Sequence, residues 1–397
     1  MPGTRQTHAR PRPTHTTLAV LFGALACAFA LALAPTTGSV RARRAQAPAA
    51  QAISRHQPQG TTQTTTQAVT FDSWNADSTS LAKLKAFVND VTDPSSPNYV
   101  EPADRIATFD MDGTILCEKA PIYSDYMLLL HRILDDATYE ADAETRALAL
   151  QIRANADKGF VDGDLDRAKN MAFAKVFAGM THKEFAAYVN DFFTNTPVEG
   201  LSNMTYGESF YKPMLEVVNY LRANDFDVYI VTACEREVAR ALAGPRLDID
   251  PSHIIVSDLA VTATGQKDEA DNAYTFQLTD ELTLKGEVLS DCGKFNKVVY
   301  IQREIGKRPI LSFGNSSGDF AMLNYAQANP DHRGMGVLVV ADDTVREYGN
   351  AEKAKGFYDE VAKCGWTAFS MGGDWSTIYG PNVTKTALNA DLVADAA

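Results

Sequence analysis

Four short stretches of this chain set carboxylate, hydroxyl, ammonium and amide groups where an apolar run stops. Asp110-Met111-Asp112-Gly113-Thr114 follows directly on Arg105-Ile106-Ala107-Thr108-Phe109. Thr232 closes Val228-Tyr229-Ile230-Val231, and Lys294 and Lys297 stand at the start of a helical pattern that runs to Ile305. Gly314-Asn315-Ser316-Ser317-Gly318-Asp319 follows the apolar Pro309 to Phe313. A carboxylate can take up a phosphoryl group and so divide one difficult hydrolysis into two easier steps. Two anions must meet for that, so a cation has to screen them; Mg²⁺ is hard, oxygen-seeking and suited to carboxylate plus phosphate. The rest of phosphoryl transfer is largely positioning and charge stabilisation, which a hydroxyl and an ammonium group can supply. Taken singly, Asp-x-Asp-Gly also fits a turn or a calcium loop, Thr232 an ordinary strand-end hydroxyl, and Lys297 a solvated helix residue. Position straight after buried strands, repeated in order along the chain, favours a site.

The elements that must position these groups are legible as alternating strands and helices. Short apolar strands are expected at 105–109, 228–231, 254–256, 309–313 and 336–340, with helices at 81–88, 214–223 and 297–305. Such alternation implies an α/β fold with a doubly wound parallel sheet covered on both faces. Ligands then bind outside the carboxyl ends of the strands, where Asp110, Thr232 and Asn315 all fall. Between the first and second stretches, residues 120–207 are helical in pattern, and 262–290 alternates like a hairpin insertion.

Asp-x-Asp-Gly-Thr after an apolar strand resembles the first signature of the haloacid dehalogenase superfamily. Val231-Thr232 is similar to its second signature, Lys297 or Lys294 to its third, and Gly314 to Asp319 to its fourth. The resemblance covers about residues 70 to 380. It implies a Rossmann-like core with a mobile, mainly α-helical cap, and Mg²⁺ as cofactor. By this resemblance Asp110 attacks phosphorus and ligates the metal. Asp112 is the general acid and base, its carbonyl a further metal ligand. Thr232 and Lys297 hold the phosphate oxygens, while Asn315 and Asp319 complete the metal side. The fourth signature departs from the family's usual Gly-Asp, because Asn315 brings an oxygen but no charge; ligation can fall to Asn315, to Asp319 or to both.

Flanking text, including Tyr211-Lys212-Pro213-Met214 and Gly365-Trp366, resembles secreted phosphorylcholine phosphatase-like and acid phosphatase-like members. The expected substrate is a small soluble phosphomonoester, touched by Glu118, Tyr123, Tyr126, Gly113 and Ser316. Tyrosines near a carboxylate can hold a quaternary ammonium group such as choline; they also fit the cap's own core. Asp112 argues against dehalogenase chemistry, whose leaving group needs no proton. The rival reading is an exported, catalytically weak binding protein, for which Asn315 is the favouring feature.

A net charge of −13 and a pI near 5.0 argue against a nucleic-acid partner. None of Cys27, Cys117, Cys234, Cys292 and Cys364 forms a Cys-x-x-Cys pair, so zinc is not expected. The last four can form two disulfides in an oxidising compartment or remain buried thiols. Arg5, Arg10 and Arg12 precede the uncharged run Leu18 to Ala34, which reads as an export signal or an uncleaved membrane anchor. The expected organisation is therefore a leader over 1–47, a linker over 48–69, a catalytic core over 70–119 and 208–385, a cap over 120–207, and a tail over 386–397.

Overall fold

The computed structural model describes residues 69–156 and 163–388; the leader, all but the last residue of the linker, and most of the tail lie outside the described residues. Strands appear where apolar runs are too short for helices, and β1, β5 and β6 are buried on both sides. The strands are β1 (Ile106–Phe109), β2 (Asp227–Glu235), β3 (Ile254–Ala263), β4 (Leu282–Ser290), β5 (Leu311–Gly314), β6 (Met335–Val340) and β7 (Thr367–Ser370). They form one sheet in the order β4-β3-β2-β1-β5-β6-β7. Every pairing is parallel except β3 with β4. β6 shows why both faces are covered: Met-Gly-Val-Leu-Val-Val is buried at every position, as expected of a strand with helices on either side.

The helices are α1 (Thr79–Thr92), α2 (Ser124–Leu130), α3 (Ala143–Ala156), α4 (Gly163–Val176), α5 (His182–Asn195), α6 (Lys212–Ala223), α7 (Arg236–Leu247), α8 (Phe295–Glu304), α9 (Phe320–Gln327) and α10 (Ala351–Cys364). Successive residues of a strand point to opposite faces. Ile230 of β2 thus joins a cluster with Val217, Val218 and Leu242 of α6 and α7. Its neighbour Val231 packs with Tyr300 and Ile301 of α8 and Met322 of α9. Leu338 and Val340 of β6 meet Ala354 of α10 in the same way. α6 shows the underlying pattern: Pro213 starts it, and Met214, Val217, Val218 and Leu221 form one buried stripe. Among the described residues, no helix is long and apolar enough to cross a membrane.

Helices α2 to α5 lie between β1 and β2 in the chain and form the helical insert. Phe173, Phe177 and Phe185 make its aromatic centre, with Phe177 4.9 Å from Phe173 and 4.8 Å from Phe185, ring centre to ring centre. The insert rests on β4: Leu284 N–H donates to Met180 C=O, and Gly179 N–H to Leu284 C=O, both at 2.9 Å. The sequence expectation of a short strand at 254–256 and a separate hairpin over 262–290 is corrected here. β3 is one continuous strand whose outer half, from Asp258, pairs with β4. The polar Ser257-Asp258 interrupts the apolar run and hid that continuity.

Candidate active site

The chain winds outward from β1 through β2, β3 and β4, then returns to β5 on the other side of β1. That reversal opens a crevice at the carboxyl ends of β1 and β5. Phe109 and Phe313 stack beneath it with ring centres 4.2 Å apart, and Asp110 N–H donates to Phe313 C=O at 2.9 Å. Asp110 is therefore the first residue past the packed end of β1. The loop after it turns back at Gly113, whose φ of +77° few side chains tolerate. A Cβ there would also lie 1.8 Å from Asn315 Nδ2, so this glycine lets the first and fourth stretches touch.

Lys297 comes from the first turn of α8 and is only 3% exposed. Its ammonium donates to Asp110 Oδ1 at 2.5 Å, Asp319 Oδ1 at 2.7 Å and the Val231 carbonyl at 2.8 Å. That carbonyl stands where the β2–β3 register shifts, between Val231 and Glu235. Burial opposes the charge on Lys297, but Asp110 and Asp319 outweigh it and raise its pKa. Burial and the like charge of Asp319 raise the pKa of Asp110, while Lys297 pulls it down. Lys294, the alternative third-stretch lysine, is exposed at the N-cap of α8. The structure brings Lys297, not Lys294, to the crevice.

Asp319 is turned into its own loop. Its Oδ2 accepts from Asn315 N–H and Ser316 N–H, each at 3.0 Å, and from the Ser316 hydroxyl at 3.2 Å. Gly314 permits this closeness, since a Cβ there would meet Asp319 Cβ at 2.3 Å. Ser316, expected to touch substrate, has its hydroxyl committed to Asp319 and to Gly318 N–H. Thr232, 2% exposed, accepts Cys234 N–H at 3.1 Å. It is not the end of its strand as expected, because β2 continues through the bulge to Glu235, and a bulge re-aims the side chains beside it.

Residues 107–324 match the haloacid dehalogenase-like hydrolase family. The chain belongs to this family. No curated protein sequence matches it. Among solved structures it is similar to a conserved protein of unknown function from Anaerococcus prevotii, at 13% identity over 73% of this chain and 91% of that one, with a TM-score of 0.47. It is also similar to a protein of unknown function from Bordetella pertussis, at 17% identity over 67% and 97%, with a TM-score of 0.42. A third is a probable phosphoserine phosphatase from Vibrio cholerae, at 12% identity over 73% and 67%, with a TM-score of 0.36.

The insert of this haloacid dehalogenase-like hydrolase brings further charged groups to bear on the site. Asp112 Oδ1 is buried and takes no hydrogen bond. Burial, then the charges of Asp125, Asp110 and Glu118, raise the Asp112 pKa well above the usual carboxylate range, against the pull of Lys169. Asp125 of α2 and Lys169 of α4 form a buried ion pair. Sequence reasoning missed both; the available signal was Asp125 standing in the otherwise apolar start of α2, where a charge needs a partner. Tyr123 donates to Glu118 Oε1 at 2.9 Å, and Tyr126 to Asp166 Oδ1 at 2.5 Å. Lys119 stands 5.0 Å from the Tyr123 ring centre and Lys169 4.4 Å from that of Tyr126. Both expected substrate tyrosines thus already carry a lysine of the protein itself. Cys117, Cys234 and Cys292 are buried and Cys364 partly so, all as free thiols.

Proposed function

We propose that this hydrolase cleaves small phosphomonoesters by way of a phosphoryl group carried on Asp110, with Mg²⁺ as the bound cation. The observation that carries the reading is the Lys297 ammonium held at 2.5 Å from Asp110 Oδ1 and 2.7 Å from Asp319 Oδ1. Two carboxylates share one ammonium, which leaves a negative charge for a cation to balance.

The residues present fit a hard cation. Asp110 supplies a carboxylate, Asp112 a backbone carbonyl, and Asn315 an amide lying over Gly113. Asp319 has both carboxylate oxygens engaged by Lys297 and its own loop, so ligation falls to Asn315 in this reading. Among the described residues, no three His, Cys, Asp or Glu side chains converge as a cage. A site of one carboxylate, neutral oxygens, water and substrate phosphate suits Mg²⁺, which keeps several waters. When bound, the cation screens the approach of phosphate to carboxylate.

An Asp110 oxygen attacks phosphorus as the bond to the leaving oxygen breaks, and Asp112 gives that oxygen its proton. Burial keeps the Asp112 proton in place until then. Asp112 then takes a proton from a water that attacks the aspartyl-phosphate, releasing inorganic phosphate and restoring Asp110. Lys297 and the Thr232 hydroxyl stabilise the charge on the phosphoryl oxygens. A choline leaving group would need an open aromatic face; the lysines over Tyr123 and Tyr126 weigh against that refinement. The basic leader and apolar run still support an exported location, which cell fractionation would check.

The test is hydrolysis of an aryl phosphate by the full chain with Mg²⁺, with chelator, and in Asp110→Asn. Turnover that needs the metal and falls by at least about 10⁴-fold in the variant is expected. Metal-independent turnover, or an active Asp110→Asn, would remove the mechanism. Stoichiometric binding of phosphate esters without turnover would favour the binding-protein reading, which the uncharged Asn315 supports.

A further inference from the structure

A cavity of about 320 Å³ opens beside the crevice, lined by the site residues Asn315 and Glu118 and by Lys119, Lys353 and Lys385. The three lysines come from distant parts of the chain: the loop after Asp110, the first turn of α10, and the segment beyond β7. Lys385 is fixed from behind, donating to the carbonyls of Thr344 at 3.0 Å and Glu347 at 2.9 Å. Lys353 is exposed, with its ammonium 5.2 Å from the Phe357 ring centre. Among the described residues, neither Lys353 nor Lys385 is in an ion pair with a carboxylate. The one carboxylate lining the cavity, Glu118, already accepts the Tyr123 hydroxyl. Burial lowers the pKa of Lys119; Glu118 opposes that, and the charge of Lys353 lowers it further. An anion between these two lysines would relieve their repulsion. The scissile phosphate has its own partners in Lys297 and Thr232, so Lys353 and Lys385 are left for another part of the substrate.

We infer that this cavity receives the leaving-group end of the substrate and selects esters that carry a second anionic group there, a carboxylate or a further phosphate. The inference rests on the phosphomonoesterase reading above and narrows it to a substrate class. A walled, positively charged recess concentrates its field on whatever enters, and charge-assisted bonds from ammonium to carboxylate or phosphate are the strong ones. A trimethylammonium group would be repelled from the same place.

The experiment uses the full chain and four alkyl phosphates of equal length ending in carboxylate, phosphate, hydroxyl or trimethylammonium. The carboxylate-ended or phosphate-ended ester is expected to exceed the hydroxyl-ended one by about tenfold in kcat/KM, with trimethylammonium last. Which of the two leads identifies the second anion. Lys353→Met and Lys385→Met are expected to reduce that ratio by about tenfold, mainly through KM. Lys355→Met, exposed on the same helix but outside the cavity, should not change it. Equal rates on all four esters, or an equal loss on all four in Lys353→Met, would overturn the inference while leaving the phosphomonoesterase standing. Should no ester turn over with any divalent metal, that broader reading fails instead. The cavity is then read by calorimetric binding of the carboxylate-ended phosphate: about tenfold weaker binding in Lys353→Met supports it, and equal binding overturns it.

Discussion

Two buried lysines act on the acids of this site, and they are held in opposite ways. Lys297, on the core helix α8, meets two carboxylates and a strand carbonyl. Lys169, on the insert helix α4, meets one carboxylate, Asp125, with Asn170 Oδ1 at 3.1 Å and the rings of Tyr126 and Phe173 at 4.4 and 5.5 Å. The first cluster keeps an excess negative charge; the second is balanced and boxed by aromatics. An unbalanced cluster in a crevice is a place for a cation and a reacting phosphate. A balanced pair between two helices fixes their packing and acts on Asp112 through its field alone. Because burying ions costs several kcal/mol each, neither pair is by itself evidence of added stability.

Removing each lysine tests that contrast. Lys297→Met should lower kcat by about 10³-fold, the scale of losing a donor aimed at developing charge. It should also destabilise the fold by about 3–5 kcal/mol, since Asp110 and Asp319 are left buried without their counter-charge. Mg²⁺ should recover part of that stability, read as a rise in the denaturation midpoint. Lys169→Met should cost a similar about 3–5 kcal/mol by stranding Asp125, yet reduce kcat only about tenfold, through a shifted Asp112. Lys169→Met with Asp125→Asn should regain most of the stability. Equal kinetic losses in the two single variants would erase the distinction between them.

The same contrast explains what could be read from the sequence. Thr232 lies in the parallel sheet, Asp110 and Asn315 directly past its strands β1 and β5, and Lys297 on the core helix α8 that packs on it; buried strands have a plain apolar signature and ligands gather at their carboxyl ends. The order of the motifs therefore carried the architecture and most of the crevice. Asp125 and Lys169 sit on helices of the insert, and no local pattern says which faces of two helices will meet. Nothing in the sequence connects Lys353 with Lys385 until the fold wraps them around one cavity. β7 escaped notice because four residues with one fully buried position give no alternation to detect. Ser316 shows the opposite limit: its type suits substrate binding, and the sequence does not reveal that its hydroxyl donates to Asp319.

Glu347 sharpens the comparison from the other side, as a buried carboxylate with no ammonium in ion-pair contact among the described residues. It accepts from the Tyr379 hydroxyl, from Tyr348 N–H at 2.8 Å, and weakly from Cys117 Sγ at 3.9 Å. Burial pushes its pKa up to about 7, although Tyr379, Tyr348, Lys385 and Cys117 all favour the charged form. In the unfolded chain Glu347 loses its proton near pH 4.5, the ordinary glutamate value. Between that pH and about 7 the folded chain keeps a proton that the unfolded chain has released, so stability falls as pH rises and levels off above. The slope from this group approaches about 1.4 kcal/mol per pH unit. Glu235, raised to about 8 by its burial at the start of α7, adds a similar slope that extends further up. Glu347→Gln keeps the shape and the hydrogen bonding of the protonated acid, so it should make the decline between pH 5 and 7 shallower and leave the Glu235 part. Urea denaturation at a series of pH values reads this directly. An unchanged slope in Glu347→Gln would mean that Lys385 neutralises Glu347 after all, and that three hydrogen-bond donors with one lysine held at the Glu347 backbone carbonyl serve a buried acid as well as the direct ammonium contact at Asp125.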